Sequence, residues 1–468
     1  MKQKVQVTTL GCKVNQAESE ALAAWYRDRF GCRVSQRATG SQLCIINTCA
    51  VTGKAEMQSR QAVRKAVRDN PGAAVVATGC CVQRDPEAFA SMEGVDYIVG
   101  HADKHRIPEL LNPGPGKDGF CLSKNSGSPL VFCSNLSEQR GFDPMPAAAA
   151  GSRTRPFLKI QDGCDSFCTY CIVPYTRGRS RSREPDSIIS EFMHLVSTGA
   201  PEIVLSGIHI GRYGADLEPR TDLAGLLRLI DKVEGNHRIR LSSIEPTELT
   251  DELLDIIADS GRICPHFHVP LQSGDPEILK RMHRPYGPDD YMQVLEKIRH
   301  RFPDAAIGAD VLIGFPGEDS DAFNRTFKLI DSLPVTYLHV FPYSQRPGTP
   351  AAGFSDQLPP QEIRQRSSIM KELGRNKKRR FFSRMAQKTM DVVIEGRDPE
   401  NKEFAKGLSS NYIPVIIENA SRAREGMRVS CRITESGSDR ALYAEAVSTA
   451  AEAACRADET AAPQAQLS

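Results

Sequence analysis

No stretch of this chain approaches the roughly 18–20 consecutive apolar residues that a bilayer-spanning helix needs, which argues against a helical membrane protein. The opening MKQKVQVTTLGCK has no apolar core that could serve as a secretory signal, so a cytoplasmic location is expected. Charge of one sign is lacking too. Lys and Arg number 60 against 58 Asp and Glu, and the net +2 says nothing about an acidic partner until its distribution is read. Paired CxxC units are scarce, Cys168 and Cys171 forming the single instance. Structural zinc prefers such pairs in twos, so this spacing disfavours zinc. Cysteine itself is plentiful: 14 in a chain of this kind point to metal or redox chemistry rather than a disulfide framework.

Hydrophobic content of 40% and charged content of 25% are ordinary for a globular protein, and 468 residues leave room for about three domains. The chain is organised around KIQDGCDSFCTYCIVPYTRGRSRSR, in which Cys164, Cys168 and Cys171 fall at CxxxCxxC spacing. An iron–sulfur cluster normally takes four cysteine ligands. Three thiolates on one short loop therefore leave one iron of a cubane [4Fe–4S] cluster open to a small chelating molecule.

Ahead of that loop, short apolar runs alternate with helical patterns, which predicts an open parallel sheet with covering helices. VQVTTLG leads to Cys12, LCIINT to Cys49 and AAVVATG to Cys80, with DYIVG following. Helices are expected near Ala17–Phe30, Lys54–Asp69, Pro86–Met92 and Asp103–Leu111. Ligands of such sheets sit at the carboxyl ends of the strands, so cysteines far apart in sequence should converge there. Cys81 adjoins Cys80, and only one of the two is expected to face a shared site. Cys32, Cys44, Cys121, Cys133, Cys264, Cys431 and Cys455 read as buried or incidental thiols.

Residues 113–149 are rich in Gly, Pro, Ser and Ala and read as a linker, with one short ordered piece around Leu130–Cys133. From Arg155 the β/α alternation resumes through PFLKIQ, EIVLSG, RIRLSS, HFHVPL, AIGADVLIG and TYLHVFPY, too few strands for a full eight-fold barrel. Polar and glycine residues gather at these strand ends, although each alone also reads as a turn or cap. His268 reads equally as a barrel-interior residue. After Pro359 a basic helical stretch precedes a small all-β segment, and residues past Ser448 read as a disordered tail.

The cysteine spacing, with Tyr170 before the last cysteine, resembles the radical S-adenosylmethionine (SAM) superfamily. The flanks RTRPFLKIQDGC and IVPYTRGRSRSRE, with TLGCKVNQ, INTC and TGC earlier, resemble the methylthiotransferases within it. That resemblance implies an α/β chain: an amino-terminal domain over residues 1–112, a partial (β/α)6 barrel over 150–380, and a TRAM-like RNA-binding barrel over 381–448. It implies two [4Fe–4S] clusters, one on Cys12, Cys49 and Cys80, the other on Cys164, Cys168 and Cys171 binding SAM. Tyr170, Ser206, Gly207, Glu245, Gln272 and Gly314 are expected at the SAM site, since glycine permits close backbone approach and a carboxylate can accept ligand hydrogen bonds. Arg375, Lys377, Lys378, Arg379 and Arg380 are expected to contact tRNA phosphates, or else to be an ordinary solvated helix face.

Three branches of the family act on isopentenyladenosine in tRNA, on a ribosomal-protein aspartate, or on N6-threonylcarbamoyladenosine at position 37 of tRNA. TLGCKVNQAESE resembles the third, and Lys13 is the residue expected to meet the substrate. By resemblance, SAM is both radical source and methyl donor for methylthiolation at the adenine C2. An electron donor such as a flavodoxin or ferredoxin is implied, and the sulfur source is left open. A one-cluster radical SAM RNA methyltransferase and a non-catalytic RNA-binding protein are the readings from other classes.

Overall fold

A computed structural model describes residues 3–111, 127–139, 141–145, 153–418, 420, 423–435 and 441–449. Cys121, Cys455, much of the expected linker and nearly all of the expected tail lie outside the described residues. No helix among the described residues is long and apolar enough to cross a membrane.

The amino-terminal unit is a six-stranded, wholly parallel sheet of β1 (Lys4–Thr9), β2 (Arg33–Ser35), β3 (Leu43–Thr48), β4 (Ala74–Gly79), β5 (Tyr97–Val99) and β6 (Leu130–Phe132), in the order β2-β1-β3-β4-β5-β6. Every residue of β3 and β4 is buried, as befits central strands covered on both faces. The helices α1 (Lys13–Phe30) and α2 (Gly53–Asp69) start directly after β1 and β3, and α2 is capped by the Thr52 hydroxyl accepting from the Ala55 amide at 3.1 Å. Two edge strands differ from expectation. β2 was not anticipated, and Leu130–Phe132, expected as an ordered piece of the linker, pairs with β5 as the sheet's last strand. Arg33–Ser35 lies in polar sequence with no apolar run to mark it, and Leu130–Phe132 lies in linker composition.

The central unit presents the six expected strands: β7 (Phe157–Lys159), β8 (Glu202–Ser206), β9 (Arg238–Leu241), β10 (His266–His268), β11 (Ala306–Ile313) and β12 (Tyr337–Pro342). They form two three-stranded parallel sheets joined by a parallel bridge between Ile239 and Ile263, which makes an open barrel. One apolar core joins Leu158, Leu205, Ile239, Phe267 and Ile307 of the strands to Leu226, Leu254, Leu295 and Ile330 of the covering helices. The helix Pro360–Arg384 then crosses to a closed five-stranded barrel of β13 (Thr389–Arg397), β14 (Ala405–Ser409), β15 (Pro414–Glu418), β16 (Arg428–Glu435) and β17 (Leu442–Thr449).

That last barrel is held in place by a buried carboxylate. Glu202, fully buried on β8, accepts from Arg238 Nε at 2.6 Å, Arg240 Nε at 2.7 Å and Arg155 Nη1 at 3.1 Å. The same guanidinium groups donate outward to carbonyls of the carboxy-terminal barrel: Arg238 to Asp391 and Leu408, Arg240 to Ser409 and Ser410, at 2.8–3.0 Å. Replacing Glu202 by Gln should leave three arginines undercompensated and cost about 3–5 kcal/mol, the usual penalty for breaking a buried ion pair. Urea unfolding measures this, and an unchanged midpoint would show that the carbonyl contacts alone dock the barrel.

Candidate active site

The carboxyl ends of β1, β3 and β4 bring Cys12, Cys49 and Cys80 to the wall of one cavity of about 360 Å³. Glycine makes the approach possible. At Gly11, with φ +94°, a Cβ would lie 2.6 Å from Cys49 Sγ; at Gly79, with φ +99°, one would lie 2.5 Å from the Thr48 carbonyl. Asn15 ties two of the loops together, donating to the Leu10 carbonyl at 2.7 Å and the Thr48 carbonyl at 3.0 Å. The Cys81 thiol turns away and donates to the Cys49 carbonyl at 2.7 Å.

The second triad lies on the loop after β7. Gly163, at φ +71°, allows the Arg179 carbonyl to pass where a Cβ would come within 1.9 Å. Cys164 Sγ accepts from the Ser166 amide at 3.4 Å and faces His209 Nδ1 at 3.5 Å, while Cys168 Sγ accepts from Arg284 Nη1 at 3.2 Å. Burial raises the Cys164 thiol, but the His209 and Ser166 hydrogen bonds outweigh it and leave the group below its ordinary value. Burial dominates at Cys168 and Cys171 and pushes both up, Cys171 to about 12. Three thiols on one loop, with donors aimed at two of the sulfurs, fit a set of thiolate ligands to a metal cluster.

The expected SAM-site residues separate into groups. Ser206 and Gly207 line the cavity of the first triad, Ser206 with a buried Oγ that has no hydrogen-bond partner. Glu245 pairs with Arg284, the residue that also reaches Cys168. Tyr170 packs edge-on to Phe315 at 6.5 Å. Gln272, at φ +67°, belongs to the β11 ladder through its amide on the Asp310 carbonyl at 2.8 Å. At Gly314 a Cβ would meet Ile363 of the long helix at 2.4 Å, so that glycine answers to helix packing. Of the basic residues on that helix, Lys377 is buried and donates to the Asp331 and Leu333 carbonyls at 2.8 and 2.7 Å, which takes its ammonium away from any RNA. Arg375, Arg379 and Arg380 are exposed.

Of the rest of the cavity wall, the sequence pointed only to His268, as a barrel-interior residue. His268 Nε2 contacts Asp310 at 2.8 Å and His339 Nδ1 contacts the same oxygen at 3.3 Å. The three groups are close enough to share a metal ion. Burial raises Asp310, but the two histidines outweigh it and hold its carboxyl below the ordinary range. Tyr337, Phe341 and, from the carboxy-terminal barrel, Tyr412 complete the wall. Lys13 also lines it, half-buried, its amine lowered to about 8 by burial and by the charges of Arg240 and Arg155.

Beside the cavity, a buried ionic network joins sheet to barrel. Arg177 donates to Asn15 Oδ1 at 2.5 Å, Asp162 Oδ1 at 2.7 Å and Glu18 Oε1 at 3.2 Å. Lys104 and Lys159 reach Glu18 at 2.6 and 2.8 Å. Glu18, His101 and Asp162 could chelate a metal, but these cations already occupy the carboxylate oxygens. The signals were present in KVNQAESE and YTRGRSR, without an indication that the two stretches meet.

A parallel sheet, an open six-stranded barrel and a three-thiol loop after the first barrel strand define a radical SAM enzyme. Residues 158–330 match the family model of the Radical SAM superfamily, and residues 4–100 match that of Uncharacterized protein family UPF0004. The threonylcarbamoyladenosine tRNA methylthiotransferase MtaB of Bacillus subtilis is 35% identical over 88% of this chain and 89% of its own length. The MtaB of Aquifex aeolicus is 35% identical over 91% and 99%. A tRNA-2-methylthio-N(6)-dimethylallyladenosine synthase of Clostridium botulinum is 34% identical over 89% and 91%. Among solved structures, the radical SAM methyltransferase TsrM of Kitasatospora setae shares the fold, with TM-score 0.51 and 16% identity over 73% of each chain. The chain belongs to the tRNA methylthiotransferase family of radical SAM enzymes.

Acid should loosen the sheet–barrel junction. Burial raises Glu18 and Asp162, but Arg177 and Lys159, with Lys104 at Glu18, outweigh it and hold both carboxyls well below their ordinary range. Depressed carboxyls contribute stability that is complete above their unfolded values, near about 4, and is lost as pH falls toward the folded ones. Urea midpoints should therefore decline from about pH 5 to pH 3. Glu18→Gln should be less stable at neutral pH and decline less steeply, and parallel pH profiles would refute the assignment.

Proposed function

We propose that the protein methylthiolates C2 of N6-threonylcarbamoyladenosine at position 37 of tRNA. In this reading Cys164, Cys168 and Cys171 hold one [4Fe–4S] cluster and Cys12, Cys49 and Cys80 a second, with SAM as radical source and methyl donor. The observation that carries it is the single cavity lined both by the amino-terminal thiols and by the ends of the barrel strands, with Lys13 on its wall. No ion pair to Lys13 exists among the described residues, so its ammonium is available for the carboxylate of the threonylcarbamoyl group. A site built to pair a charged group rejects the analogue lacking it, because the buried partner is then left unsatisfied.

When bound, the cluster on Cys164, Cys168 and Cys171 supplies the electron for reductive cleavage of SAM, the radical chemistry that an unactivated aromatic C–H bond requires. The protein's part is position and electrostatics. Arg284 holds Glu245 and Cys168 in fixed relation, and His209 is set by Glu248 on one nitrogen and faces Cys164 with the other. Asp310 orients His268 and His339 toward the cavity. Arg375, Lys378, Arg379 and Arg380 supply the electropositive helix face for tRNA phosphates, without Lys377. Electrons come from a small donor such as a flavodoxin or ferredoxin.

Anaerobic reconstitution should give about eight irons per chain, on four per cubane cluster, and about half of that after Cys164, Cys168 and Cys171 are replaced by alanine. A parent that never exceeds four removes the second cluster.

Substrate choice is tested by anaerobic turnover on tRNA bearing threonylcarbamoyladenosine and on tRNA bearing isopentenyladenosine, with mass detection of the methylthio nucleoside. Product should form on the first, and Lys13→Ala should reduce kcat/KM there by roughly 10- to 100-fold, the usual worth of a hydrogen bond to a charged group. Efficient conversion of the isopentenyl tRNA alone would place the protein in the other branch.

A further inference from the structure

The last barrel strand alternates strictly. Leu338 and Val340 pack against the main core, while Tyr337, His339 and Phe341 face the cavity. Their rings touch in sequence: Tyr337 and His339 lie 5.4 Å apart between centroids and tilted at 53°, His339 and Phe341 6.4 Å apart and edge-on at 83°. At the other end Tyr412, held at φ +66° in the β14–β15 turn, stacks on His266 at 4.1 Å and 18° and lies 5.9 Å from Tyr337. The outer members are open, with Phe341 40% exposed. The exposed faces of Phe341 and His339 lie at the mouth of the cavity, beyond their contacts with each other and with Asp310.

We propose that Phe341 and His339, backed by Tyr337 and Tyr412, are a stacking platform for a nucleobase drawn out of the RNA, built jointly by the radical SAM barrel and the carboxy-terminal barrel. The chemistry favours a base over an apolar ligand. The cavity holds Lys13, Asp310 and two histidines beside the rings, and a second cavity of about 310 Å³ behind Tyr337, His339 and Tyr412 is lined by Lys378. Flat rings flanked by cations suit a purine whose phosphates stay outside. The carboxy-terminal barrel thus acts as a wall of the site. This deepens the tRNA reading above and rests on it.

The test is a thermodynamic cycle between ring and base. Reconstituted full-length protein is titrated by fluorescence anisotropy with an anticodon stem-loop carrying adenosine at position 37, and with the same RNA abasic there. The parent should prefer the adenosine RNA by about 5- to 150-fold, the range of one base–aromatic stack. Phe341→Ala combined with His339→Ala should abolish that preference while binding the abasic RNA as the parent does, and Phe341→Tyr should retain it. Both residues are exposed, so the fold should survive. A preference that survives the double alanine variant overturns the platform, as does a parent that binds both RNAs equally. A parent that binds neither RNA overturns the tRNA reading itself.

Discussion

Two carboxylates and three cations share one buried interface between the sheet and the barrel, and the geometry of the site depends on it. Glu18 projects from α1, immediately after Cys12; Asp162 and Arg177 bracket the loop that carries the second triad. None of these charges tolerates burial alone, because an unpaired ion in the interior costs several kcal/mol. The two units can therefore dock only in the register that satisfies all of them. That register fixes the Cys12 loop against the barrel strand ends and produces one cavity instead of two separate surfaces. The balance of charge is also informative. His101 is pushed down to about 3 by burial and by Arg177, so it stays neutral and the network keeps an excess positive charge beside Cys12 and Cys80. Arg177 opposes the burial that raises the Cys12 thiol, without overcoming it.

The same device recurs once more. Glu202 gathers three arginines; Arg238 and Arg240 reach into the carboxy-terminal unit through its backbone carbonyls, and Arg155 through the Glu395 carboxylate. A lock made to carbonyls constrains the path of the chain rather than particular side chains. The segment it constrains, Leu408 to Ser410, leads directly into Tyr412, whose ring lies 5.3 Å from the Arg240 guanidinium. The small barrel thus sets the position of a ring in the cavity.

Legibility followed periodicity and spacing. The cysteine-bearing strands were readable as apolar runs ending at glycine or cysteine, as in TLGC, INTC and TGC, and the six barrel strands, some only three or four residues long, from the alternation of apolar runs with helical patterns. The edge strand Arg33–Ser35 was not, since it lies in polar sequence with no apolar run, and Leu130–Phe132 read only as an ordered piece of the linker. Lys377 shows the limit of reading charge from a run: within KELGRNKKRR nothing distinguishes it from its neighbours, yet it turns inward to cap the helix Ser320–Ser332. The ionic network and the aromatic wall depend on contacts between residues more than a hundred positions apart, such as Glu18 with Arg177, which a single sequence does not encode in any local signal.

Relatives named for two different tRNA nucleosides match this chain almost equally, at 35% and 34% identity, so neither fold nor thiol triads can decide between their substrates. In the reading proposed above, the choice rests on the charge that lines the cavity. Here the lysines divide usefully. Lys104 and Lys159 are spent on Glu18 and Asp162, and Lys377 on helix-end carbonyls. Lys13 is brought to the cavity by the same helix start that places Cys12, and no carboxylate of the described residues pairs with it within 4.0 Å. Its amine, lowered to about 8, still carries a proton at neutral pH in most molecules. A half-buried ammonium that Glu202 and Asp310 offset only from beyond ion-pair distance is costly until a ligand supplies a closer partner. An apolar isopentenyl group would leave that cost in place, whereas a threonylcarbamoyl carboxylate would remove it.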